Sequence, residues 1–445
     1  MNVVFFSHYF PPEGNAPASR TYDHCSRWVK DGARVQVITC VPNVPDGEVY
    51  EGYRNRLWPQ REVVDGIEVI RVWTYLRKSP GKLDLILNYI SYLFAALFAF
   101  VFFVRRPKVI VATTPQFFCG IAGVVASWLK WCPLVLEVRD IWPESIVTVG
   151  AIRRGLVIRI LEKMERWMYR SAAHIVAVGP GYRENIIGKC DVRDRISMVT
   201  NGVDTTQYVP LDGSDEIAKR YDLGMRFVCS YVGTIGMAHG LDVVVRVAER
   251  LRDEGREDIA FLLVGGGTKL DSLRATVAEK QLDDLIKMTG RLDKSDVPDA
   301  LAASDVCLVH LSKVDLFEHV IPSKIFETMA MERPIIMGVR GRAREIVMAA
   351  GSGVSMEPEN DEQLLALLDQ LSEDRQATRE MGMRGRQFVS QNFERDQLAA
   401  DMLEIVKRTA RGEIFTLPDR EWQSSEHVAA PVQIDSLTVA NNAVQ

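Results

Sequence analysis

Short runs of β-branched and aromatic residues alternate with longer amphipathic stretches along most of the chain. In the first half the apolar runs fall at 2–6, 34–39, 67–73, 108–112, 134–138, 174–178 and 196–200. In the second half they fall at 226–232, 259–264, 285–289, 305–309 and 334–337. Strands this apolar, separated by helix-length segments, are what a parallel sheet covered on both faces requires. Two such series in succession predict an α/β protein of two doubly wound, Rossmann-like domains. The boundary is expected near 204–214, where Pro210, Asp212 and Gly213 interrupt the pattern. That gives a first domain over 1–208 and a second over 209–389, with the helical segment 390–411 folding back onto the first. From Gly412 onward the chain turns polar, with Pro418 and Pro431, and 412–445 is expected to be a poorly ordered tail.

One segment breaks the alternation. Residues 85–104 carry no formal charge, and Arg77, Lys78 and Lys82 precede them while Arg105 and Arg106 follow. The length suffices to span a bilayer. The segment nevertheless joins two strands expected to share one parallel sheet, and a crossing would put them on opposite sides of the membrane. A helix lying in the interface, with its basic flanks on anionic headgroups, meets both conditions. A buried core helix and a spanning or re-entrant helix are the alternatives.

Composition narrows the class. Hydrophobic residues at 47% and charged residues at 25% are ordinary globular values. A net charge of −5 argues against a nucleic-acid binder, which normally shows a basic excess. The 7 cysteines are scattered and form no Cys-x-x-Cys pair, the pattern of buried thiols in a reducing compartment. Residues 1–10 lack a basic start and read as a first strand rather than a signal peptide, so a cytoplasmic location is expected.

Five segments offer chemistry. Residues 7–20 join the first strand to a helix through Gly14 and Asn15, and free N–H groups at a helix start attract an anion. No Gly-x-Gly-x-x-Gly occurs there, which counts against NAD or FAD. In 231–241, Gly233 and Gly236 allow a pyrophosphate to approach the backbone, Gly240 stands near the helix start, and His239 is placed to donate to phosphate oxygens. Lys324 and Glu327 lie three apart on one face of a helix that Pro322 introduces. A lysine there opposes the helix dipole, and a bound diphosphate would account for it. Glu327 suits the two hydroxyls of a ribose. Asp140, in Glu137-Val138-Arg139-Asp140-Ile141-Trp142-Pro143-Glu144, follows a strand's C-terminal edge. Either Asp140 or Glu144 is placed to orient an acceptor hydroxyl or take its proton, and an N-cap is the bland reading of Asp140. Asn201-Gly202-Val203-Asp204 also follows a strand, and a plain turn explains it equally. No Asp-x-Asp is present, so no metal ion is expected.

In their order, these pieces resemble the retaining glycosyltransferases of family 4, which have the GT-B fold. They are similar in particular to the branch that adds amino sugars such as N-acetylfucosamine in bacterial O-antigen, capsule or exopolysaccharide synthesis. The resemblance covers about 1–411 and rests on 9–14, Thr113-Thr114-Pro115, 140–144, 201–204, 233–240, Pro322-Ser323-Lys324 and Phe326-Glu327. It implies that Glu327 binds the nucleotide ribose, with Gly290-Arg291-Leu292 beside a base that is usually uracil. Gly14 and Asn15 would cover the diphosphate from the opposite domain, with Asn201, Gly233, His239 and Gly240 completing the donor site. It further implies a UDP-sugar donor, no cofactor or metal, and a saccharide acceptor on a polyprenyl diphosphate, met at the inner membrane surface through 85–104. Two departures stand out. The family's glutamate eight residues before the ribose-binding one is replaced by His319, with Glu318 beside it. Its glycine-loop arginine and lysine are replaced by Thr234 and His239. Lys324 is then the candidate for the missing charge, and Asp140, Lys324, Glu318 and His319 are the candidate catalytic groups. A nucleotide-sugar 2-epimerase of the same shape and a non-catalytic nucleotide-sugar-binding protein are the rival readings.

Overall fold

The computed structural model describes residues 1–419 except 45–46, 79–80, 115, 149–154 and 212–214. Pro115, Asp212, Gly213 and residues 420–445 of the expected tail therefore lie outside the described residues.

In chain order the first unit begins β1 (Asn2–Phe6), α1 (Ala16–Lys30), β2 (Arg34–Cys40), β3 (Gln60–Val64) and β4 (Ile67–Val72). It continues α2 (Lys82–Phe103), β5 (Val109–Thr114), α3 (Phe117–Lys130), β6 (Leu134–Val138) and α4 (Glu144–Thr148). It closes with α5 (Leu156–Ser171), β7 (His174–Ala177), α6 (Pro180–Lys189) and β8 (Ile196–Met198). These strands form one sheet in the order β3-β4-β2-β1-β5-β6-β7-β8, parallel throughout except for β3 at the edge.

The second unit runs α7 (Asp215–Arg220), β9 (Phe227–Val232), α8 (Asp242–Asp253), β10 (Ile259–Val264) and α9 (Leu270–Glu279). Next come β11 (Ile286–Gly290), α10 (Val297–Ala302), β12 (Val306–His310), α11 (Lys324–Ala330) and β13 (Ile335–Gly338). The described residues close with α12 (Arg342–Ala349), β14 (Gly353–Ser355), α13 (Asp361–Glu373), α14 (Arg375–Asn392) and α15 (Arg395–Ala410). The second sheet is all parallel, in the order β11-β10-β9-β12-β13-β14.

Every strand expected from the sequence is present, with ends shifted by two residues or fewer. β3 and β14 were not expected. β3 (Gln-Arg-Glu-Val-Val) is a half-exposed edge strand rich in charge, and β14 is a three-residue edge containing Gly353 and Ser355. Each sheet reverses its winding once, between β1 and β5 in the first and between β9 and β12 in the second. Loops leaving the carboxyl ends of strands at such points form the ligand crevice of doubly wound folds.

Two helical layers sandwich the first sheet. On one face α1 and α15 pack together, with Trp28, Met402, Leu403 and Val406 lying over Phe5, Val35 and Val37. The Trp28 indole N–H donates to the Ala399 carbonyl at 2.9 Å. Burying each of these large apolar side chains contributes about 1.5–3 kcal/mol. On the other face lie α2 and α3. Asp84 opens α2 by accepting the Gly81 N–H at 2.9 Å. One stripe of α2, Tyr92, Ala96, Ala99 and Phe100, is fully buried, while Leu83, Phe94 and Phe102 are 75%, 67% and 70% exposed. The helix is therefore not the buried core element that its composition allowed. It joins β4 to β5 of one sheet.

Residues 412–419, expected as part of the tail, lie against the first unit. Phe415 stacks on His174 with ring centroids 4.4 Å apart, and the Leu417 N–H donates to Ser197 Oγ at 2.8 Å. The chain passes between the units twice, and the two crossings are bonded to each other. Val203 N–H donates to Phe393 O and Arg395 N–H to Val203 O, both at 3.0 Å.

Candidate active site

The loop after β1 is held by its own buried groups. The Glu13 carboxylate accepts the N–H groups of Asn43 (3.0 Å), Val44 (3.2 Å) and Phe10 (3.4 Å), although burial still raises its pKa. Asn15 caps α1, its Oδ1 accepting the Ala18 N–H at 2.9 Å. The Asn15 oxygen is thus committed to its own helix, and what this loop presents outward is backbone around Gly14. A Cβ placed on Gly14 would stand 3.9 Å from Arg291 Nη2, so the loop faces the exit of β11 in the other unit. Close by, Lys294 Nζ donates to Ser19 Oγ at 3.0 Å. Leu292 packs partly buried in the second unit's core.

The loops leaving β9 and β10 lie flat on each other. Gly233 N–H donates to Val264 O and Ile235 N–H to Gly266 O, both at 2.8 Å. A side chain on Gly265 would collide with the Gly233 carbonyl, so only glycine fits this approach. Sequence reasoning passed over this Gly265-Gly266-Gly267 run, although three glycines directly after a strand were a usable signal. His239 Nδ1 accepts the Gly236 N–H at 3.3 Å. Burial, helped by the nearby Lys324 charge, pushes its pKa down to about 4, so the ring is neutral at pH 7. The His239 carbonyl accepts from His310 Nδ1 at 2.7 Å, and His310 Nε2 accepts the Glu359 N–H at 2.8 Å. His310, unmarked in the sequence, clamps the turn at Gly240.

Lys324 rises from the start of α11 into this loop. Its Nζ sits 3.7 Å from the centroid of the Tyr231 ring and would stand 2.7 Å from a Cβ on Gly233. The ammonium is buried and has no hydrogen-bond partner. Burial pushes its pKa down to about 7, against the opposing pull of Glu327. An unpaired buried cation is costly unless an anion joins it. One turn on, Glu327 accepts from the Tyr208 hydroxyl and lies 3.8 Å from Arg395 Nη2, with 24% of its side chain open to solvent. Burial raises its pKa. Arg395 also reaches Asp23 of α1 at 2.8 Å, which ties this glutamate to the first unit.

The remaining candidates sit apart from that cluster. Asp140 accepts from the Ser145 hydroxyl in α4 and from the Ile141 N–H ahead of that helix, and burial raises its pKa. These are not the first-turn N–H groups that an N-cap holds, and Asp140 stands on the first unit's side of the crevice. Beside it the buried Arg139 Nη1 has no hydrogen-bond partner. Glu144 is engaged by Lys189 (3.1 Å) and Asn185 (2.9 Å). Asn201 Oδ1 accepts from Arg20 at 3.4 Å, within a network in which Arg20 Nε also holds Glu137 at 2.8 Å. His319 reaches across to the first unit, its ring against Gly181 at the start of α6. Glu318 turns the other way, 3.9 Å from Arg340 and 43% exposed. The structure thus separates the two residues that the sequence treated as one candidate pair.

Two doubly wound units whose switch-point loops meet across a crevice define the GT-B class of protein. Residues 15–202 match the family model of the glycosyl transferase 4-like domain, and residues 214–388 match that of glycosyl transferases group 1. The chain is a glycosyltransferase and belongs with the family 4 enzymes of GT-B fold. It is 22% identical over 376 residues to WcaI of Escherichia coli (strain K12), a glycosyl transferase assigned to colanic acid biosynthesis, covering 82% of this chain and 91% of that one. Its fold matches sucrose-phosphate synthase from Thermosynechococcus elongatus with a TM-score of 0.73, at 15% identity over 93% of this chain and 99% of that one. It also matches Anabaena HepE in complex with UDP-glucose, with a TM-score of 0.67 and 16% identity over 92% of this chain and 99% of that one.

Proposed function

We propose that this enzyme moves a sugar, of the N-acetylated amino type, from a UDP-sugar to a saccharide carried on a polyprenyl diphosphate. The reaction retains anomeric configuration and builds a bacterial surface polysaccharide at the inner face of the cytoplasmic membrane. The observation that carries the reading is Lys324, a buried ammonium with no hydrogen-bond partner, pressed against a glycine loop at a switch point. A donor diphosphate supplies the missing anion, received by Lys324 and by the backbone of the loop from Gly233 to Gly240. Glu327 takes the ribose hydroxyls, and Arg291 and Leu292 flank the base. Gly14 closes over the diphosphate from the first unit. The match to a solved UDP-glucose complex and to a glycosyl transferase assigned to colanic acid biosynthesis supports a UDP-sugar donor and a polysaccharide product.

In the transfer, the bond from the anomeric carbon to the β-phosphate oxygen breaks and negative charge gathers on that oxygen. The Lys324 ammonium stabilises this charge, and no metal ion is required of a site so equipped. The acceptor hydroxyl forms the new bond on the face the phosphate leaves, and its proton passes to the departing phosphate oxygen. Asp140 orients that hydroxyl from the first unit. The test is incubation with a panel of nucleotide sugars and a bacterial lipid extract, with mass detection and EDTA in a parallel arm. Transfer to a lipid-linked saccharide is expected, unaffected by EDTA and lowered about 10²–10³-fold by Lys324→Met. Near-normal turnover of that variant removes Lys324 from the diphosphate site.

A further inference from the structure

Beside α2, at the β3-β4 edge of the first sheet, runs an apolar groove of about 680 Å³. Trp58 and Trp73 line one side, and Leu87, Ile90, Phe94 and Phe98 line the α2 side. The polar groups at its wall are already engaged. Ser91 Oγ accepts the Tyr75 N–H and donates to Asn88 O, both at 2.8 Å, and the Tyr75 hydroxyl donates to Asp84 at 3.2 Å. Nothing in the lining asks for a polar ligand, and the volume falls in the range of small-molecule sites. Leu57 and Trp58 stand 78% and 65% exposed on its rim, which leaves a large apolar surface facing water.

Two further features say what fills it. A cation stands at one end. Arg61 donates to Phe103 O at 2.6 Å with its guanidinium over the Phe103 ring, and that ring packs edge-on against the groove's Trp58 at 5.2 Å between centroids. Arg77, at the start of α2, is already paired with Asp84 at 3.4 Å. A ligand with a hydrocarbon body and an anionic head meets complementary charge at Arg61. The same helix also braces the reaction loop. His8 packs edge-on against Tyr89 and Tyr92, at 5.5 and 4.9 Å between centroids, and Asn88 Nδ2 donates to Tyr75 O at 2.9 Å. The groove wall and the loop that carries Gly14 are thus one continuous packed unit.

We propose that this groove holds the isoprene units nearest the phosphate of a polyprenyl carrier and so leads the acceptor saccharide toward the first unit's side of the crevice. The inference rests on the lipid-linked acceptor proposed above. Its aromatic walls offer ring faces to a methyl-branched, unsaturated chain.

The test uses the full chain without membranes and farnesyl phosphate below its micelle concentration as the probe, with binding followed by calorimetry. Saturable binding is expected. It should weaken at least about tenfold in the double variant Leu57→Asp/Phe94→Asp, both exposed positions that put charge into the groove without touching the core. Phe102→Asp, equally exposed on α2 but outside the groove, should bind as the wild type does and shows that a charge on this helix is tolerated. Absence of saturable binding, or a double variant that binds like the wild type, overturns the groove. Dodecyl phosphate binding as tightly as farnesyl phosphate assigns the groove to straight acyl chains and overturns the isoprenoid occupant. Transfer assays separate this from the wider function. Full turnover of a polyprenyl-linked acceptor by the double variant overturns the groove alone. Groove-dependent binding of farnesyl phosphate, with no transfer to any lipid, overturns the acceptor reading and leaves the groove standing.

Discussion

At the scale of single residues, the consequential group is an amine that titrates near neutrality. Free Lys324, held down to about 7 by burial, is charged below that pH and neutral above it. A diphosphate at Nζ favours the charged form and raises the pKa. Donor binding above pH 7 must therefore take up a proton, and affinity should fall about tenfold per pH unit there while staying flat below. Calorimetry of a UDP-sugar in two buffers of different ionisation heat checks this, and Lys324→Met should abolish the buffer dependence. Glu327→Ala removes charged hydrogen bonds to the ribose, and the donor Kd should rise about 10–100-fold. An unchanged Kd in a fluorescence titration would remove Glu327 from the donor site. Lys324 and Glu327 were legible in the sequence because local rules place them, by spacing on one helix face at a recognisable helix start. His310 and Arg395 were not. Their partners lie far away in sequence, Glu359 and His239 for the first and Asp23 and Glu327 for the second, and no local pattern encodes such contacts.

At the scale of elements, interior strands were legible because apolarity on both faces admits little else. β3 escaped because an edge strand exposes one face and fills it with charge. α2 shows a subtler limit. Its buried stripe of Tyr92, Ala96 and Ala99 is no more apolar than the exposed Phe94 and Phe102, so sequence gave its length and not its orientation. The exposed stripe makes a prediction. Ser substitutions at Leu83, Val101 and Phe102, which are 75%, 41% and 70% exposed, leave the core intact and should release the protein from anionic vesicles in a flotation assay. Wild-type protein that stays unbound in the same assay would end the interfacial reading.

At the scale of the whole molecule, the two units are joined where the crossings meet, and Arg395 sits at that joint. It bridges Asp23 and Glu327, and its Nε donates to Gly202 O at 3.2 Å. Arg395→Ala leaves two poorly exposed carboxylates short of a partner. A loss of stability of about 3 kcal/mol is expected in urea unfolding, together with a several-fold higher KM for donor. A KM that is unchanged while stability falls would make Arg395 a structural residue only. The joint also follows from where α15 lies. Phe5 and Val37 of the amino-proximal sheet, with Trp28 of α1, are covered by a helix that begins at Arg395. During translation, about 200 residues must emerge between β8 and that helix, roughly 10–40 s at ordinary elongation speeds. The carboxy-proximal sheet receives α13 and α14 earlier, so the half made second is complete first. Until α15 leaves the ribosome, the nascent amino-proximal half presents an uncapped apolar sheet, and termination anywhere before α15 leaves a product fit for chaperones rather than for catalysis.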